Sequence, residues 1–143
     1  MSLELAVVMS AVVGLVAGFL VTRAFFSEAK NTVIHVRHGA GVWTAETSNK
    51  EVHLKRLMFM RWNVVEQSSL PADAYIELRF AGDNSPFTEQ RPKDDKKPGK
   101  RLIHGLVPTG AENGSYKYTV YLIDGRTETP IEDPVIVIEG KRG

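Results

Sequence analysis

The sequence predicts an all-β sandwich of about six or seven antiparallel strands, preceded by one N-terminal transmembrane α-helix. Three observations predict it. Residues 5–22, LAVVMSAVVGLVAGFLVT, carry no charge, and at about 1.5 Å of helical rise each they span roughly 27 Å, enough to cross bilayer hydrocarbon. Beyond residue 31 no segment sustains a 3.6-residue apolar period, whereas residues 74–80 and 115–124 read as alternating strands. Turn-forming clusters such as Gly39-Ala-Gly41, Pro98-Gly99 and TGAENG at 109–114 recur between these runs.

The apolar run contains a second pattern. Ser10, Gly14, Gly18 and Thr22 recur every four residues, with Ala6 one step before, so a helix would carry them on one face. Small residues at that spacing let a second helix backbone approach closely, and this face is expected to pack on other transmembrane subunits. Phe25 and Phe26 extend the apolar surface past Arg23 to residue 26, and the Arg23 side chain is long enough to reach the headgroups. A cleaved signal peptide competes with this reading, since Ser27-Glu28-Ala29 is small at both ends. Against it, no Lys or Arg precedes the run, and Arg23 separates the run from that site. A buried core helix competes less well, because the run has no polar face. Arg23, Lys30 and Arg37 follow the run, so the positive-inside rule places the C-terminal domain on the cytoplasmic side of the inner membrane, with the periplasm as the alternative.

The expected organisation is a flank at 1–4, the membrane helix at 5–26, a short tether at 27–31, the sandwich at 32–139 and a tail at 140–143. Strands are expected at 32–38, 42–44, 52–65 with a bend near Lys55-Arg56, 74–80, 101–107, 115–124 and 135–139. Residues 81–100 and 127–134 are expected as loops. In the long strand Met58, Met60, Trp62 and Val64 share one parity, and in the next Ala74, Ile76, Leu78 and Phe80 do. These side chains and Tyr116, Tyr118, Val120 and Leu122 are the expected core, since large aromatics contribute most through burial.

Composition narrows the function. With 18 basic and 17 acidic residues the chain is nearly neutral, which argues against a nucleic-acid partner. The chain has no cysteine, which removes disulfides, thiolate metal sites and cysteine nucleophiles. His35, His38, His53 and His104 are the four histidines, and the three-residue spacing of the first two puts them on opposite faces of a strand. No nucleophile-elbow, zinc-helix, phosphate-loop or dinucleotide motif occurs. Asp94-Asp95 and Glu132-Asp133 are adjacent acidic pairs without a neighbouring base or nucleophile. No enzyme activity, cofactor or small-molecule substrate is expected.

Residues 91–101, RPKDDKKPGKR, hold six basic and two acidic side chains. The pattern reads as a solvated, mobile loop. Arg91, Lys93, Lys96, Lys97, Lys100 and Arg101 form a possible docking group, for anionic headgroups or for an acidic partner.

The run 58–65, followed by Tyr116-Lys-Tyr-Thr-Val120 and Asp133-Pro-Val-Ile-Val-Ile138, is similar to small cupredoxin-like domains. Immunoglobulin-like sandwiches give nearly the same pattern. The resemblance implies a Trp62 packed beneath the late strand, and a scaffold that lacks the Cys of a blue-copper or binuclear copper site. The whole chain then resembles a small bitopic accessory subunit of a bacterial photosynthetic or respiratory complex. A membrane-tethered binding module and a carrier of copper on histidine alone are the alternatives.

The small face generates a direct expectation. Gly14→Leu or Gly18→Leu should release the protein from its partner in a mild-detergent pull-down while leaving the tryptophan fluorescence of the β-domain native. Undiminished co-purification of both variants would show the small-residue face to be incidental.

Overall fold

The structure is a computed structural model that describes residues 29–140. The predicted membrane helix at 5–26, with Ala6, Ser10, Gly14, Gly18, Thr22, Arg23, Phe25 and Phe26, lies outside the described residues, as do residues 141–143. Among the described residues no helix is long and apolar enough to cross a membrane.

Nine strands occur among the described residues: β1 (Ala29–Gly39), β2 (Val42–Thr47), β3 (Glu51–Leu54), β4 (Phe59–Glu66), β5 (Tyr75–Phe80), β6 (Arg101–Leu106), β7 (Gly114–Asp124), β8 (Thr127–Glu132) and β9 (Val135–Ile138). They form two facing sheets, one in the order β2-β1-β4-β6 and one in the order β3-β9-β7-β5, with β8 added along β7. Inward side chains alternate with outward ones, and the parity expected from the sequence is the observed one. Met58, Met60, Trp62 and Val64 are buried, as are Ala74, Ile76, Leu78 and Phe80. Tyr118, Val120 and Leu122 are buried too, while Tyr116 packs half-exposed against the cluster edge.

Several expectations are corrected. The antiparallel expectation fails at two places, because β1 pairs with β4 in parallel and β3 with β9 in parallel. Both pairings join strands whose connection passes through the opposite sheet. The strand expected at 52–65 is two strands in different sheets, parted at residues 55–58, where Leu57 takes a φ of 68°. The supposed loop at 127–134 contains β8, which pairs with β7 from Asp124↔Thr127 to Val120↔Glu132. The expected tether at 27–31 is shortened: Ala29, Lys30 and Asn31 already pair with Phe59, Met60 and Arg61 as the first rung of β1.

The β1–β2 hairpin turns on two residues, Ala40 at φ 54° and Gly41 at φ 78°. Two consecutive positive φ values match the twist of the strands, and glycine supplies the second at no steric cost. At the opposite edge the long connection between β5 and β6 closes both sheets. Leu78 N–H donates to Pro92 O at 2.8 Å, Asp94 N–H to Ile76 O at 3.0 Å and Thr88 N–H to Leu106 O at 3.0 Å. The edges of β5 and β6, which would otherwise be open to pairing with another chain, are thereby occupied. On the other side Glu132 joins β8 to β2, accepting from Thr47 Oγ1 at 3.2 Å and facing Lys50 Nζ at 3.5 Å.

The core centres on four aromatic side chains. Trp62 Nε1 donates to Tyr118 Oη at 3.1 Å, and the Phe87 ring meets Trp62 edge-on at 5.4 Å and Phe80 at 5.8 Å. Phe87 comes from the β5–β6 connection and fills the place a side chain on β6 would occupy. A Cβ at Gly105 would lie 2.7 Å from Phe87 Cδ1. With Trp62 and Phe80 on its other sides, that ring has little room to yield. Gly105→Ala should therefore lower stability by about 1–3 kcal/mol, the usual cost of overpacking a core. Urea denaturation of the full chain in mild detergent, followed by tryptophan fluorescence, reads this as a lower midpoint; an unchanged midpoint would mean the Phe87 ring shifts freely.

Candidate interaction surface

The arrangement of charge at one end of the sandwich is the most developed polar feature of the domain. β1 and β4 are parallel and begin together at Ala29 and Phe59, whereas β6 runs against β4 and begins at Arg101 beside Val64. Residues 96–101 therefore sit near the end opposite Ala29, whereas Pro92 and Asp94 run back along β5 beside Leu78 and Ile76, and Arg91 reaches Asp83 beyond the far end of that strand. Glu66 lies seven residue steps beyond Phe59, which at about 3.3 Å per step is roughly 23 Å.

Arg101, expected on the surface with the docking group, is buried at 4 % exposure, and Asp94 beside it is buried at 5 %. Such charges must be paired and hydrogen-bonded to be tolerated. Asp94 Oδ2 accepts from Ile76 N–H at 2.7 Å, and Oδ1 accepts from Lys96 N–H at 2.6 Å and from Arg101 Nη1 at 3.1 Å. Arg101 Nη1 also donates to Ala74 O at 2.9 Å, and its Nε donates to Glu66 Oε2 at 2.9 Å. Glu66 completes the set by accepting from Leu70 N–H at 2.8 Å and Gly99 N–H at 3.3 Å. Three side chains thus tie together the ends of β4, β5 and β6 and the two loops between them. Burial pushes the Glu66 carboxyl up, but the bonds from Leu70, Arg101 and Gly99 outweigh it and hold the group below the usual glutamate value.

The loop expected to be mobile is therefore braced from within, and its lysines are displayed from a fixed base. Lys93, Lys96, Lys97 and Lys100 are exposed, and none is ion-paired among the described residues. Lys96 Nζ lies 4.8 Å and Lys93 Nζ 5.8 Å from the centroid of the Tyr75 ring. Arg91 points elsewhere, to Asp83 at 3.3 Å. Beside the lysines a shallow cleft of about 480 Å³ is lined by Ser69, Pro71, Asp73, Lys96, Pro98 and Gly99.

The histidines are dispersed. His35 faces outward on β1 near Gln67 Nε2 at 3.4 Å, and His38 lies against Trp43 at the hairpin with ring centroids 4.9 Å apart. His104 is exposed on β6. His53 on β3 is gripped between Glu139 at 3.0 Å and Glu51 at 2.7 Å. The Glu139 hydrogen bond, then that of Glu51, raises its pKa, as expected when both ring nitrogens donate. Among the described residues no group of three or more His, Asp or Glu is disposed to hold a metal ion. Met58 and Met60 are core side chains.

Two polar sites go beyond what the sequence predicts. Arg79 bonds Glu77 and Glu128, both at 2.8 Å, and its guanidinium lies 4.5 Å from the Tyr121 centroid. The outward i, i+2 spacing of Glu77 and Arg79 signalled half of this cluster; Glu128 comes from the unforeseen β8. The pair Glu132-Asp133 is also used structurally, with Asp133 Oδ1 accepting from Thr119 Oγ1 at 2.9 Å.

Removing one member of a buried charge group strands the others. Asp94→Ala should cost about 3 kcal/mol, at the lower end for a broken buried pair because Glu66 still faces Arg101. The pH course follows from Glu66. Its folded pKa is depressed, so its contribution is present above the ordinary glutamate value near 4.5 and is lost as pH falls through the folded value. Urea midpoints measured from pH 7 to pH 3 should drop on that acid limb, and Glu66→Gln should flatten it. A wild-type-like midpoint for Asp94→Ala would show that the loop is held by other contacts.

No protein-family model matches the chain, and no curated protein matches it significantly. Among solved structures, the chain is similar to a cysteine protease inhibitor from Entamoeba histolytica, at 8 % identity and a TM-score of 0.44, over 78 % of this chain and 97 % of that one.

Proposed function

We propose that the protein is a non-catalytic, single-span accessory subunit of a larger bacterial membrane complex, a photosynthetic or respiratory assembly being the class its architecture fits. In this reading residues 5–26 cross the inner membrane and pack through Ala6, Ser10, Gly14, Gly18 and Thr22 on other transmembrane subunits. Arg23, Phe25 and Phe26 sit at the interface, and the sandwich stands on the cytoplasmic surface. The copper-free scaffold of a cupredoxin-like or immunoglobulin-like sandwich fits the domain, supported by Trp62 lying beneath Tyr118.

The observation that supports this reading most is that Ala29 is already paired in a strand. Ala29, Lys30 and Asn31 are rungs of the first sheet, so only Ser27 and Glu28 remain between the proposed span and the folded domain. A module that captures passing ligands gains reach from a flexible linker, whose span grows as about 5–6 Å times the square root of its length. A two-residue connection gives almost no reach. It favours a domain with a set bearing on the bilayer, engaged at the same time as its helix.

Mild-detergent purification with mass spectrometry should recover the protein in stoichiometric amount with other membrane subunits. Inserting about ten Gly and Ser residues between Glu28 and Ala29 should leave it in the membrane fraction but lower that co-recovery. Recovery of the wild type as a lone monomer would overturn the proposal.

A further inference from the structure

The geometry points to the lysine loop as a docking surface for an acidic segment of a partner protein. Lys93, Lys96, Lys97 and Lys100 are exposed within eight residues of chain; the exposed carboxylates that line clefts with them are Asp73 beside Lys96, and Glu89 and Asp95 beside Lys93. The remaining charges of this end, Arg101, Asp94 and Glu66, are spent on one another and on backbone groups. What faces solvent there is therefore net positive, four lysines against three carboxylates, and none of the four lysines is ion-paired among the described residues.

Two further features fit a protein partner. Holding several long, charged side chains in place ordinarily costs conformational entropy. Here the loop backbone is fixed by Asp94, which accepts from Lys96 N–H at 2.6 Å, and two of the ammonium groups rest over Tyr75. Part of that cost is met before binding. The adjoining cleft adds Pro71 and Pro98 as apolar contact beside the charges. Position decides between protein and lipid. Lys96, Lys97 and Lys100 are roughly 23 Å along β4 from the end at which the chain enters, more than twice the screening length of about 8 Å at physiological salt, and Lys93 lies part-way along β5 beside Glu77. With the sandwich standing on its Ala29 end, the headgroups lie beyond the reach of these lysines. The choice against lipid rests on the anchored reading proposed above; the binding itself does not.

The test uses the full chain in uncharged detergent micelles and a fluorescein-labelled peptide of eight glutamates, read by fluorescence anisotropy. Binding should be measurable at low salt and weaken at least tenfold in 0.5 M salt. The variant K93E/K96E/K97E/K100E should bind at least tenfold more weakly, and the corresponding set of four Lys→Gln changes should fall between it and the wild type. A variant of equal charge change elsewhere, K30E/K55E/R61E/K117E, should bind as the wild type does. Urea midpoints of all variants establish that each is folded. Absent binding overturns the proposal, as does equal loss in both charge-reversed variants, which would be a net-charge effect. So does binding confined to vesicles of phosphatidylglycerol, which would assign the loop to lipid. Intact peptide binding alongside a lone-monomer purification would sink the subunit reading alone, and the converse result would sink this one alone.

Discussion

Two sheets without a disulfide between them must be held by what their inner faces bury, and here that burial is organised by the hydrogen bond from Trp62 to Tyr118. Each residue is placed mid-sheet, Trp62 on β4 and Tyr118 on β7. An indole N–H buried without an acceptor would cost about 1–3 kcal/mol, so the largest core side chain can be used only because the opposite sheet offers a hydroxyl. Burial raises the Tyr118 pKa well above the ordinary tyrosine value, against the lowering effect of the Trp62 bond. The phenol therefore stays neutral across the physiological range. Around this pair the sheets leave a gap at Gly105, and Phe87 fills it from the connection between β5 and β6.

The same connection carries the lysines, so core and surface are linked through one stretch of chain. Phe87 pins its first half by apolar contact, and Asp94 pins its second half by charge and hydrogen bonding. Between them Pro92 and Asp94 run along the edge of β5 as a surrogate strand. Edge protection and lysine display are thus one structural solution. The contrast with Arg79 is instructive: its guanidinium is spent on Glu77, Glu128 and Tyr121, and its pKa is raised by the Glu128 bond foremost. The Arg79 cation on the sheet face is compensated, whereas the loop lysines have no ion pair among the described residues.

What could be read from the sequence was what depends on nearest neighbours. Side-chain parity has a period of two, so the inward faces of β4, β5 and β7 followed from residue identity alone. An interruption near Lys55-Arg56 was also legible, because no flat strand runs so long, but as a bend and not as the change of sheet that occurs there. Pairing is non-local and was not legible: the parallel match of β1 with β4 depends on an excursion through β3 that leaves no local mark. β8 was missed because Thr127-Glu-Thr-Pro-Ile-Glu132 has no alternating apolar face and contains a proline, tolerated there at the sheet margin. In the loop, composition gave the charge run but not its division. Arg101 and Lys100 are adjacent basic residues in one run, yet one is buried and the other exposed, because Glu66 and Asp94 reach Arg101 from segments far away in sequence or across a turn.

That division fixes what the domain can do with its charge. A loop free to bend back would let its lysines sample any direction, and their attraction would be spread over lipid, solvent ions and the domain's own carboxylates. Bracing by Asp94 and Glu66 removes that freedom and keeps the stretch carrying Lys96, Lys97 and Lys100 near the end of the sheet opposite Ala29. The strand length between the two ends then acts as a spacer of roughly 23 Å. Screened interactions fade over about 8–10 Å, so the two ends are electrostatically independent. One end can be committed to whatever precedes Ala29, and the other can recognise a separate surface without competition from the first.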